Sequence, residues 1–199
     1  MTFRTARLLV ATGAFVAALV LITAVTLIVM GRGVDLNVPQ VAKIGGPFSL
    51  TDHDGRALTD QDMKGRTFLV FFGFTHCPDV CPTALFEISE IFRKLGAGGE
   101  NVRALFITVD PERDTPKALK DYVSNFDSRI IGVTGDPEEI AAVVKAYRGY
   151  FKKVPLADGG YTMDHTAIVY LMGKQGQFIS PFSMRRTTDA AAADLRKHL

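Results

Sequence analysis

The chain has 199 residues, 47% of them hydrophobic, and a formal net charge of +2, enough for one well-buried domain and too little for two large ones. Residues 1–35 hold three arginines and one aspartate, so the remainder is charge-balanced. It lacks the basic surplus that a nucleic-acid-binding surface requires.

The first element in chain order is the uncharged run Leu8–Met30, 23 residues long. As a helix it would extend about 34 Å, enough to cross a bilayer core. A cleaved secretory signal has a shorter apolar region, and a core helix apolar on every face needs a larger protein around it. The run is expected to be an uncleaved transmembrane helix. Arg4 and Arg7 precede it, while Arg32 and Asp35 follow; this bias puts residues 1–7 in the cytoplasm and the rest on the far side. Residues 31–44 read as a linker, and residues 45–199 as one domain.

That domain opens with Phe48–Thr51 and Arg56–Thr59 around an Asp-Gly turn, the pattern of a small hairpin. Thr67–Phe74 is a continuous apolar run, as in a strand buried on both faces. A helix from about Cys81 to Leu95 follows, with Leu85, Ile88, Ile91, Phe92 and Leu95 on one face. Val102–Val109 is a second buried strand. It leads through Asp110–Pro116 into a helix carrying Leu119, Tyr122, Val123 and Phe126. Ile130–Thr134 is a third strand. Asp136-Pro137-Glu138-Glu139 then starts a helix with a capping aspartate and a glutamate three residues on. Arg148, Lys152 and Lys153 are interleaved with Tyr147, Tyr150 and Phe151 in what reads as a solvated loop, or a patch facing a partner. Thr166–Leu171 and Gln177–Phe182 form an antiparallel hairpin, and a last helix begins near Thr188. This order implies an α/β sheet of mixed direction with helices on both faces.

The chain has two cysteines, Cys77 and Cys81. They sit where the first βα unit turns from strand to helix, which makes the α/β fold thioredoxin-like. Pro82 lacks an amide hydrogen and fits only the first helical turn, so Cys81 lies at the helix N-terminus. The dipole there favours a thiolate and is expected to acidify the thiol. Four residues of helix separate two Cα atoms by about 6.2 Å, a spacing open to a reversible disulfide or to a shared soft metal. A purely structural bridge would close a tiny loop and contribute little. Two thiolates leave a metal under-coordinated, so a metal site needs a third ligand.

Of the four histidines, His53 lies in a polar turn, His198 at the C-terminus, and His76 beside Cys77 but pointing away from it. His165 precedes a strand, in a loop that such a fold places against the first βα junction. An imidazole with two thiolates suits Cu(I), with zinc as the competitor, unless His165 is a capping or buried structural residue. Asp164 would orient the imidazole or add an oxygen ligand, and Met163 reads as packing. The acidic run Asp110–Asp114 lies on the same sheet edge and reads as turn and capping chemistry, with shaping of the site or of a docking surface as the alternative.

Gly73-Phe74-Thr75-His76-Cys77-Pro78-Asp79-Val80-Cys81-Pro82, the Phe48–Asp52 opening, Asp110–Thr115 and Asp164-His165 together resemble the Sco/SenC family, over about residues 45–199. The resemblance implies a membrane-anchored, thioredoxin-like copper protein that assists assembly of cytochrome c oxidase. Carried over, Cys77, Cys81 and His165 become the copper ligands. The implied partner is oxidase subunit II, where the copper A centre is built, with an upstream copper donor. The implied location is the bacterial inner membrane with the domain in the periplasm, or the mitochondrial equivalent. Two roles remain open: copper delivery, or reduction of the subunit II cysteines that take the copper. A general redoxin or peroxidase is the rival class. Against it, Thr75 stands two residues before Cys77 rather than three, and the pair is spaced Cys-x-x-x-Cys.

Overall fold

A computed structural model describes residues 3–31, 43–157 and 159–199. The chain divides into two compact units, Met1–Ala42 and Lys43–Leu199. Most of the expected linker, and the first residues of the expected cytoplasmic segment, lie outside the described residues.

In the first unit, α1 (Phe3–Gly31) is one continuous helix of 29 residues. Its described side chains are those of residues 12–28, all exposed. Thr23 and Thr26 donate their hydroxyl hydrogens back to the carbonyls of Leu19 and Ile22, at 2.8 and 2.6 Å. Among the described residues no helix is long and apolar enough to cross a membrane; a span needs about 20 such residues, and the expected run extends past both ends of the described side chains.

The second unit is built on a seven-stranded mixed sheet in the order β2-β1-β5-β4-β3-β8-β9. Its strands are β1 (Ser49–Asp52), β2 (Ala57–Thr59), β3 (Phe68–Gly73), β4 (Arg103–Thr108), β5 (Ile130–Thr134), β8 (Val169–Met172) and β9 (Phe178–Pro181). β3, β4 and β5 run parallel; β1, β8 and β9 add antiparallel pairs at the two sides. The apolar run of β3 shows why continuous hydrophobicity marks a central strand. Leu69 and Phe71 face one core, and Phe68, Val70 and Phe72 face the other. The first core is closed by α2 (Val80–Leu95), α3 (Pro116–Val123) and α5 (Thr188–Arg196). The second is closed by α4 (Pro137–Ala146) and the β1–β2 hairpin. The thioredoxin-like architecture with helices on both faces is therefore present.

The helix starts behave as their sequences imply. Thr115 accepts from the Ala118 amide and starts α3 with Pro116, while Asp136 and Glu139 form a reciprocal capping box on α4. One element departs from expectation. The stretch read as a solvated loop contains β6 (Phe151–Pro155), which pairs with β7 (Tyr161–His165) in a separate two-stranded sheet. His165 thus ends a strand rather than lying in a loop. Phe151 and Val154 are half-buried while Lys152, Lys153 and Pro155 are exposed, a pattern without the period of two that marks a half-buried strand, and the Gly159-Gly160 pair is hairpin-turn chemistry.

Candidate metal centre

The donors come from the junction between β3 and α2 and from the end of β7. β3 ends at Gly73, and the chain turns through Thr75–Asp79 into α2, with Val80, Cys81 and Pro82 in the first helical turn. The Cys81 amide donates to Cys77 Sγ at 3.4 Å, so one sulfur covers a helix N-terminal amide that has no partner within the helix. Both cysteines are free, Cys77 half-buried and Cys81 fully buried. His165 brings its Nε2 to 3.8 Å from Cys81 Sγ, and the three donor atoms of Cys77, Cys81 and His165 all lie within 4.8 Å of one another. With bonds of about 2.3 Å to sulfur and 2.0 Å to nitrogen, a three-coordinate ion would hold its donors about 3.7 to 4.0 Å apart. The donor set suits such an ion in type, and the 3.8 Å between His165 Nε2 and Cys81 Sγ suits it in spacing.

The imidazole is prepared for ligation by its surroundings. His165 Nδ1 faces the Thr166 carbonyl at 3.2 Å. A carbonyl only accepts, so Nδ1 carries the proton and Nε2 turns its lone pair toward the sulfurs. Burial holds the His165 pKa below the usual imidazole value and keeps the ring neutral. Phe74 packs edge-on against it, with ring centroids 5.8 Å apart.

Two expectations are corrected here. Asp164 does not orient the ring: it is exposed on the other side of β7, since neighbours along a strand point to opposite faces, and the Thr166 carbonyl takes that place. The Cys81 thiol is not acidified by the helix terminus. Burial pushes its pKa up, outweighing a hydrogen bond from the Phe74 backbone, because the side chain is fully buried beside Gly73 rather than in water. His76 is exposed beside Thr75. His53 accepts from the Gly132 amide at 3.0 Å, a structural role, and the His198 carbonyl accepts from Thr67. Met163 packs in the core.

The acidic run does more than cap a helix. Asp110 and Asp114 are both buried. Asp114 accepts from the Thr75 amide at 3.0 Å, the Thr75 hydroxyl at 2.6 Å and the Thr108 hydroxyl at 2.6 Å. It ties the cysteine loop to the end of β4. Asp110 pairs with Arg113 and accepts from the Tyr161 hydroxyl at 3.0 Å. The signal was the Thr108-x-Asp110-x-x-Arg113-Asp114 spacing directly after a buried strand; what it bonds to was not visible along the chain. Beside the site a groove of about 420 Å³ runs between Asp79–Val80 and Ala167–Val169, floored by Phe71 and Phe182.

Comparison with known proteins agrees with this arrangement. The SCO1/SenC family profile matches residues 37–199. The mitochondrial SCO1 homolog of Mus musculus is 42% identical over 159 residues, covering 78% of this chain and 56% of that protein; the chain spans about half the length of such curated relatives. Copper-bound ScoI of Bradyrhizobium japonicum is 59% identical, with a TM-score of 0.76 over 78% of this chain and 99% of that one. Copper-bound ScoI of Arabidopsis thaliana is 38% identical, with a TM-score of 0.73 over 78% and 97%. The chain belongs to the SCO1/SenC family.

Proposed function

We propose that this protein binds one copper ion through Cys77 Sγ, Cys81 Sγ and His165 Nε2 and serves the assembly of cytochrome c oxidase by delivering copper to the copper A site of subunit II. The observation that carries the reading is the convergence of two thiols and one neutral imidazole within 4.8 Å, a soft donor set that suits Cu(I). The copper-bound relatives support the metal's identity. Zinc prefers four ligands, and among the described residues no fourth His, Cys, Asp or Glu joins the group. Copper would be cargo, taken up and passed on, since Cys77 stands half-exposed at the edge of the pair while Cys81 is covered.

The protein would be held at the inner membrane by α1, with its amino end in the cytoplasm and the residue 45–199 domain in the periplasm or its mitochondrial equivalent. Support comes from the unbroken helix of 29 residues and from threonine hydroxyls bonded within the helix, as an apolar surrounding requires. The test of the ligand set is a copper titration. His165→Ala should lose most of the affinity of the wild type, and equal affinity would remove the imidazole from the site.

The free cysteine pair favours a second reading, a thiol–disulfide reductase for the subunit II cysteines. Two electrons and two protons would pass from Cys77 and Cys81 to a partner disulfide, leaving a disulfide here and two thiols there. Copper A assembly on purified subunit II with its cysteines already reduced separates the two. Assembly by the copper-loaded protein, and none by the copper-free dithiol, supports delivery; no need for the protein at all supports reduction.

A further inference from the structure

The loop Asp110–Asp114 touches both halves of the donor set and contributes no donor of its own. Through Asp114 it holds the cysteine loop at Thr75. Through Arg113 it holds the hairpin that ends in His165. Arg113 Nη1 donates to the Tyr161 carbonyl at 3.0 Å, and the guanidinium carbon lies 3.8 Å from the Tyr161 ring centre and 5.9 Å from that of Phe74. Phe74 is the ring that meets the His165 imidazole edge-on. The remaining nitrogen, Arg113 Nη2, is buried and makes no hydrogen bond. The side chain is thus held by its ion pair with Asp110, one carbonyl and two aromatic rings.

The topology creates the need for such a clamp. β6 and β7 form their own sheet, with no ladder to the seven-stranded one. Main-chain hydrogen bonds therefore set the register of β7 against β6 but not against β3, whose end carries the cysteines. A lone two-stranded hairpin is weakly stable, and only the short link 166–168 joins His165 to β8, which pairs with β3, so side chains are needed to hold the imidazole at its distance from the sulfurs.

We propose that Arg113 is a positioning residue for His165, clamping the β6–β7 hairpin to the loop after β3 and so setting the donor spacing. The proposal rests on the reading of Cys77, Cys81 and His165 as the copper site. Arginine suits the task because its planar group stacks on rings while forking to Asp110 and the Tyr161 carbonyl; lysine keeps the charge but neither the plane nor the fork.

The test compares Arg113→Lys with Arg129→Lys in the full-length protein. Arg129 is a matched control. Its side chain is 18% exposed against 24% for Arg113, it pairs with Asp127, and it lies 4.9 Å from the Phe92 ring, but it touches none of the donors. Copper affinity, the sulfur-to-copper(II) charge-transfer band and the metal-free thermal midpoint are measured for each. Arg113→Lys should lose about tenfold in affinity or more, in line with groups that orient metal ligands, and shift the band. Arg129→Lys should lower the thermal midpoint and leave affinity and band in place. Tyr161→Leu keeps the Arg113–Asp110 pair while removing the stack and the hydroxyl's bond to Asp110; it should reproduce the spectral change even where Arg113→Lys fails to fold. Wild-type affinity and band in both Arg113→Lys and Tyr161→Leu would overturn the clamp, as would an equal change in Arg129→Lys. His165→Ala separates the layers. If it binds copper as the wild type does, the ligand reading itself falls; if it weakens binding while the clamp variants do not, only the clamp falls.

Discussion

Gly73 stands where β3 ends against Cys81, and a single methyl there tests how tightly the sulfur is placed. A Cβ on residue 73 would lie 2.8 Å from Cys81 Sγ and 2.5 Å from Phe106 Cε2, whereas ordinary contacts begin at 3.4 Å. The sulfur would have to retreat by roughly 0.6 Å and the ring by roughly 0.9 Å. Metal–donor distances tolerate only about 0.2 Å, and the ring has no free space in a close-packed core. Overpacking of this kind costs about 1–3 kcal/mol, which in a domain of this size lowers the thermal midpoint by roughly 2–4 °C for each kcal/mol. Gly73→Ala is therefore expected to melt several degrees lower and to bind copper more weakly, read by calorimetry of the metal-free protein and by competitive copper titration. A midpoint within 1 °C of wild type together with unchanged affinity would refute the argument that backbone closeness at residue 73 seats the Cys81 sulfur.

Two further outcomes follow from groups around the site. Asp114→Ala removes the acceptor of three hydrogen bonds and leaves the Thr75 and Thr108 donors without their partner; with about 1–3 kcal/mol for a buried group left unsatisfied, denaturant unfolding should show a loss near the top of that range or beyond. The buried Cys81 thiol has its pKa pushed up, so it holds its proton through neutral pH and gives it up to the metal. Each proton released makes copper affinity rise about tenfold per pH unit, and a titration from pH 6 to pH 8 that shows no rise would contradict the covered position of this sulfur.

Much of the centre was legible because local rules carry it. Pro82 confines Cys81 to a first helical turn, and the apolar run of β3 admits only a central strand, so the cysteine pair had to stand at a strand-to-helix junction on one sheet edge. The hairpin carrying His165 was not legible. Its strand β6 is half-solvated, with two adjacent lysines between Phe151 and Val154 and no alternation, a pattern that reads as loop until the partner strand is seen. Asp164 was placed in the site because it adjoins His165 along the chain, yet strand alternation turns it to solvent. Asp110, Arg113 and Asp114 read first as turn and capping residues, with shaping of the site as the alternative, because what lies across from them is not visible along the chain.

The sequence alone determined the chemistry on offer: two thiols four residues apart at a helix start, one imidazole before a late strand, and an α/β order that brings strand ends to one edge. Tertiary structure decided the rest. It chose which imidazole nitrogen faces the sulfurs, buried Cys81 deeply enough to reverse the effect of the helix terminus, and made Asp110–Asp114 the bridge between cysteine loop and histidine hairpin. The reason is the range of the forces. Turn, cap and periodicity preferences act over a few residues and can be read in order, whereas burial and the pairing of Arg113 with Tyr161 join positions 48 residues apart and exist only once the chain has closed around them.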